Sequence, residues 1–369
     1  MKKYFVMAAL AVSTLTASTQ SVVPKWINNV KLSGFGIVQY TYNGQENNES
    51  NSFNLRLARL ALDGRAFDDW YWKAQIQFNG NTSTLGSSPK LVDIFIEWQK
   101  YDFLRVKAGQ FKNPFTYENP MHPIDQGFMS YSQVISKFAG FSDRAGAHSS
   151  NGRDIGVQLQ GDFLKNASGR NLIHYQVGVF NGQGINVKDV DQQKNIIGGA
   201  WVMPVEGMRL GAFGWIGSYA RKGTSASEGI TNRRLQQRRY AFSAEYKVDD
   251  WTFRSEYVHS TGYAFAKAMV NTNDASAKDI TLSSNGDKSQ GVYALVIAPI
   301  IKKKCHAKAR YDMYQPSKGA EKQRTQYEIG LDYYFNKNIC LTGEYAYIHD
   351  RALADPNYSM IDVELSYRF

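Results

Sequence analysis

Long apolar runs are what this chain of 369 residues lacks. Past the N-terminal segment, the longest is Val292–Ile301, about half of the roughly 20 residues that a membrane-spanning helix requires. A bundle of membrane helices is excluded. Cysteine is scarce as well, and Cys305 and Cys340 are too few for a disulfide scaffold or a zinc site made of four thiolates. The six histidines (His122, His148, His174, His259, His306 and His349) are scattered, with no H-E-x-x-H pattern and no pair one helical turn apart. No G-x-S-x-G elbow occurs, and Gly34-Phe-Gly36 lacks the third glycine of a nucleotide-binding turn. No metal, no cofactor and no enzymatic activity is therefore expected. Basic residues never form a long run, and Arg233-Arg234 with Arg238-Arg239 falls at a predicted outer loop and strand start, so no nucleic-acid partner is expected either.

Aromatic residues are what the chain has in quantity: 20 Phe, 7 Trp and 23 Tyr, with a net charge of +10. With 43% hydrophobic and 21% charged residues, the composition is that of a folded chain, not a disordered one. The start reads as an address. Lys2 and Lys3 precede the apolar run Tyr4–Leu15, which ends in small residues at Ala17 and Ser18, the layout of a secretory signal peptide over residues 1–18.

In residues 19–369 the recurring unit is a segment of about ten residues that alternates apolar with polar, bounded by turn residues, which is the signature of a transmembrane barrel. The last one shows it plainly. Ile361, Val363, Leu365, Tyr367 and Phe369 alternate with Asp362, Glu364, Ser366 and Arg368. Tyr327, Ile329, Leu331, Tyr333 and Phe335 do the same against Glu328, Gly330 and Asp332. Sixteen such segments run from 31–42 to 358–369. Tight connections such as Phe67-Asp68-Asp69, Asp249-Asp250 and Lys337-Asn338 alternate with long polar links such as 183–193, 221–236 and 263–290.

The fold class predicted is all-β, a transmembrane antiparallel barrel of about 16 strands. A soluble antiparallel sandwich also alternates. Against it stand the aromatics near strand ends (Trp70, Trp72, Trp98, Trp251, Tyr345, Tyr347, Tyr367), which suit belts at a lipid interface and make outer-membrane lipid the expected surroundings. Cys305 and Cys340 begin strands separated by a third, about 9 to 10 Å apart. A disulfide reaches across about 7 Å at most, so two free thiols are expected.

Phe53-Asn-Leu-Arg-Leu-Ala-Arg-Leu-Ala-Leu-Asp-Gly-Arg-Ala-Phe-Asp-Asp-Trp70 resembles the second and third strands of the phosphate-selective porin O and P family. Val106-Lys-Ala-Gly-Gln-Phe-Lys-Asn-Pro-Phe115 resembles that family's strand leading into its constriction loop, and Arg153-Asp-Ile-Gly-Val157 the strand leading out. Tyr367-Arg-Phe369 is similar to the assembly signal of many outer-membrane barrels. The resemblance implies a homotrimer of channels in the outer membrane of a Gram-negative bacterium, passing small anions such as phosphate by diffusion.

Arg56, Lys73, Arg105 and Lys107 fall on the polar parity of their strands and are expected to face the lumen. Leu55 and Leu57 share one parity while Leu60 and Leu62 continue the other, so a bulge near Ala58 and Arg59 is predicted, turning Arg59 inward beside Arg56. Residues 112–152 lack alternation and carry Pro114, Pro120 and Pro123, and a loop that long is usually functional. By analogy with porins it folds inward as a constriction, with Lys112, Arg144 and Lys137 expected to face the strand cations across the gap. Such a lining favours anions.

Asp63, Asp93 and Glu97 lie on the same polar faces and offer themselves as partners. If they neutralise the cations, Phe95 and Trp215 would form a greasy track, as in a general or sugar-type solute porin. An outer-membrane enzyme or adhesin is the third reading.

Overall fold

The computed structural model describes residues 24, 26–79, 89–145, 150–189, 191–225, 229–262 and 288–369. The expected signal segment lies outside the described residues. Sixteen antiparallel strands close into one barrel, each paired with its sequence neighbours and the last with the first. They are β1 (Ile27–Asn43), β2 (Ser50–Ala66), β3 (Trp70–Gln77), β4 (Lys90–Tyr101), β5 (Leu104–Lys112), β6 (Arg153–Lys165), β7 (Asn171–Phe180) and β8 (Asn195–Val202). The second half is β9 (Met208–Ser225), β10 (Gly229–Val248), β11 (Trp251–Thr261), β12 (Lys288–Ile301), β13 (Cys305–Gln315), β14 (Arg324–Asn336), β15 (Ile339–Asp350) and β16 (Asn357–Arg368). One short helix, α1 (Gln133–Phe138), lies in the β5–β6 connection.

The alternation has the direction a barrel in lipid demands. On β14, Ile329 is 61% exposed and its neighbour Glu328 only 4%. A soluble fold would reverse that assignment. Ile361, Val363, Leu365 and Tyr367 of β16 point out while Asp362, Glu364 and Ser366 are buried within. Trp70, Trp251, Tyr345, Tyr347 and Tyr367 stand exposed on the outer surface, as interfacial belts require. Sixteen staves enclose a lumen too wide for side chains alone to fill. Closure is complete at the C-terminus: the Phe369 amide donates to the Gly34 carbonyl at 3.0 Å and the Gly34 amide returns a bond at 3.1 Å.

Two details depart from the sequence reading. Residues 221–236, expected as a long link, are mostly ladder, because β9 and β10 stay paired out to Ser225 and Gly229. That ribbon outruns the neighbouring staves, and beyond the bilayer no oily face is demanded of it, so hydrophobic alternation could not reveal it. The bulge in β2 sits at Arg56, where pairing jumps from Ile37–Leu57 to Val38–Leu55, and not at Ala58 and Arg59. Leu55 and Leu57 therefore do not share a face. Cys305 and Cys340 are free thiols, on strands separated by β14.

Candidate constriction site

Asn113–Gly152 connects β5 to β6 and folds into the lumen. Its neck is closed by the Asn113 amide on the Gly152 carbonyl at 2.8 Å, and the Asn119 side-chain amide donates to the carbonyls of both Asn113 and Gly152. Thr116, Asn151 and Gly152 have positive φ, which lets the chain turn sharply inward at both ends of the neck. Apolar loop residues then find a surface. Phe115, Tyr117, Phe128, Val134, Ile135 and Phe138 bury against Phe213, Trp215, Tyr293 and Leu295 of the barrel wall. Ser132 caps α1 by accepting from the Ile135 amide at 3.3 Å.

The wall also binds the loop's backbone. The Glu256 carboxylate accepts the amides of Tyr117 and Glu118 at 2.6 and 2.9 Å and the Tyr293 hydroxyl at 2.7 Å. Glu344 accepts the Met129 amide at 3.0 Å and Asp312 that of Gln133 at 2.7 Å. Cations on the same wall donate to loop carbonyls: Arg254 to Gln126 at 3.0 Å, Lys308 to Gly127 at 2.9 Å and Arg310 to Ser130 at 3.0 Å. These cations are also paired with Glu245, Asp332 and Glu328 respectively. The loop reaches the closure strands too, with Asp125 on Arg368 at 2.8 Å and His122 edge-on to Phe35 at 4.4 Å. On the β9–β15 side these charges are consumed in holding the loop.

The staves β2 to β5 are left facing the loop across a cavity of about 250 Å³. Into it project Arg59, Lys73, Lys107, Lys112 and Arg153, with Asp93, Phe95 and Phe111 beside them and Pro120–Pro123 of the loop opposite. Arg153 is held by Asp93, its Nε and Nη2 at 2.7 and 3.2 Å from the two carboxylate oxygens. Lys107 lies 3.6 Å from Glu97 and over the rings of Phe95 and Phe111 at 5.0 and 5.3 Å. Arg59 donates to Gln77 at 2.9 Å and sits over Phe35. Lys112 donates to the Met121 carbonyl at 2.6 Å and the Tyr131 hydroxyl at 3.2 Å. Lys73 stands opposite Asp63 in the ladder without an ion pair joining them. Among the described residues, no carboxylate pairs with Arg59, Lys73 or Lys112. Within the loop, burial pushes the His122 imidazole down to about 4 despite the pull of Asp125, so the ring adds no charge at neutral pH.

Four of the eight cations expected at the path are thus gathered in the gap: Arg59, Lys73, Lys107 and Lys112. Arg56 is turned inward by the bulge but pairs with Glu364 at 2.6 Å on the closure side. Arg105 pairs with Asp162, which also holds the inward His174. Arg144 does not face the cluster. It donates to the Gly262 carbonyl at 2.6 Å and to Gln237, on the far wall. Lys137 bonds Ser142 and lies over Tyr314 on that same side, because α1 carries it there. Trp215 is sealed beneath Phe115, so it is no part of a track. Sequence reasoning missed Arg153 as a gap residue. Its signal was its register, since it pairs directly with Lys112 where the strands meet the loop.

A second cavity, of about 230 Å³, lies under the loop on the other side, and its charges lean the other way: Asp125, Asp250, Asp332 and Glu364 against Lys308. The loop divides the lumen into electrically unlike compartments.

Residues 33–198 match the family model of phosphate-selective porins O and P. That span contains every stave of the basic gap and the whole constriction loop. Solved structures with the same fold include an anion-selective porin from Comamonas acidovorans, at 15% identity and a TM-score of 0.61 over 92% of this chain and 99% of that one. The outer-membrane channel DcaP of Acinetobacter baumannii matches at 13% and 0.61 over 92% and 97%. OmpF of Salmonella typhi, solved with daunomycin, matches at 12% and 0.66 over 94% and 99%. No curated protein matches. The closed barrel with its apolar face outward is that of an outer-membrane protein, and the stretch 33–198, a little under half of the chain, is similar to the phosphate-selective porins O and P.

Proposed function

We propose that this barrel is a porin, a diffusion channel for small anions, phosphate among them, which pass between the loop and the β2–β5 wall. One observation carries the reading: Arg59, Lys73 and Lys112 converge on the gap without a carboxylate partner among the described residues. Positive groups within one screening length, about 8 Å at physiological salt, act together on a passing ion. They lower the barrier for anions and raise it for cations. Residues 19–369 form the porin domain and 112–152 its constriction, with no enzymatic step in the cycle. The working assembly is a homotrimer, which the family resemblance supports and chemical cross-linking in native membranes tests. The reversal potential of purified protein in a planar bilayer under a potassium chloride gradient decides the selectivity. Chloride preference is expected, and potassium preference refutes the reading.

A further inference from the structure

The cations of the gap are set among hydrocarbon. Tyr71, Phe95, Phe111 and Phe180 form a ladder of rings across β3, β4, β5 and β7, with successive centroids 6.0, 5.9 and 5.6 Å apart. Phe95 is the partly accessible rung that lines the slot, and the Lys107 ammonium lies against it. Across the slot, Pro120, Met121 and Pro123 of the loop supply a second apolar lining. A bare hydrated ion gains nothing from such surfaces, which stabilise only a solute able to give up water over its own apolar area.

We propose that this slot favours organic anions carrying a planar apolar portion, of the kind found in aromatic carboxylates, over inorganic or short aliphatic anions of equal charge. The inference rests on the anion reading above and names its solute class. A carboxylate drawn to Lys107 or Lys112 has its apolar part laid along Phe95 and faced by the Pro120–Pro123 segment of the loop. Charge recruits the solute and the rings distinguish it. Aromatic rings prefer offset or edge-on contacts with centroids about 4.5 to 7 Å apart, the spacing the ladder already uses.

The test uses full-length protein in planar bilayers at constant ionic strength. Benzoate, acetate and phosphate are compared as blockers of the chloride current. Benzoate is expected to half-block at about a tenth of the acetate concentration, equivalent to about 1.4 kcal/mol, the size of one aromatic pair. A benzene dicarboxylate is expected to outdo phosphate in the same sense. Phe95→Ala is expected to bring benzoate to within about threefold of acetate, since one ring contact is lost. Equal half-blocking concentrations in the native channel, with chloride-selective reversal potentials, overturn this inference and leave the anion reading standing. Potassium-selective reversal potentials overturn the anion reading itself. An undiminished benzoate advantage in a conducting Phe95→Ala channel also overturns the proposal. The native-channel comparison holds whether or not the variant folds.

Discussion

Lys112 and Arg153 stand directly opposite one another in the β5–β6 ladder, two cations side by side at the neck of the inward loop. Their environments differ. Arg153 has its Nε and Nη2 on Asp93 and its Nη1 on the Asn151 carbonyl, whereas Lys112 donates to one carbonyl and one phenol. That difference separates cations that hold the wall together from cations left to face a solute.

Replacing Arg59, Lys73 and Lys112 together by Gln is expected to move the reversal potential strongly toward potassium. The double change Arg56→Gln with Arg105→Gln serves as the contrast. Both of those residues line neither side of the gap and already sit on Glu364 and Asp162. Neither side chain reaches the gap itself, so the double change is expected to shift selectivity less. Equal shifts would place the path elsewhere.

Asp93→Asn is expected to raise anion selectivity while lowering stability. The change frees the Arg153 guanidinium, now tied to Asp93 at 2.7 Å, to face the gap. Breaking one partner of a buried ion pair costs about 3–5 kcal/mol. Reversal potential and thermal unfolding in detergent micelles check the two halves, and an unchanged melting temperature contradicts the second.

Glu256→Ala removes the acceptor of two loop amides and of the Tyr293 hydroxyl. Each buried donor so orphaned costs about 1–3 kcal/mol, and the loop loses one of its holds on β11, that of Arg254 on the Gln126 carbonyl remaining. Single-channel conductance is expected to rise, with noisier open-state current. A native conductance trace would assign the loop's position to the packing of Phe115 and α1 and to the remaining polar contacts with Asp312, Glu344 and Arg310.

Because burial lowers His122 from 6.5 to about 4, its charge enters the gap only in strong acid. A proton that the unfolded chain accepts near 6.5 is refused by the folded one until about 4, so stability falls as pH drops through that window. Native and His122→Asn channels are expected to share the same selectivity from neutral pH down to about 5 and to diverge only below about 4. Divergence near 6.5 would show a ring exposed to water.

The barrel was readable because lipid imposes one oily face on every stave, and that demand writes itself as strict alternation in strands such as β14 and β16. The β9–β10 ribbon escaped the same reading, since its outer length answers to no lipid. Parity also placed Lys73 and Lys107 inside the tube. What parity cannot say is which carboxylate on a neighbouring strand meets which cation, so the pairing of Arg56 with Glu364, which are far apart in sequence, was out of reach. Arg144 and Lys137 were misplaced for a related reason. Loop residues obey no period, and the loop's course was set by buried Phe115 and Phe138 seeking Trp215 and Tyr314.

Every stave and loop residue bordering the basic gap falls between Arg59 and Arg153. The far side of the tube supplies the cradle. On the proposed reading, preference for a cargo is therefore written in one unbroken quarter of the polypeptide, separate from the wall that grips the loop.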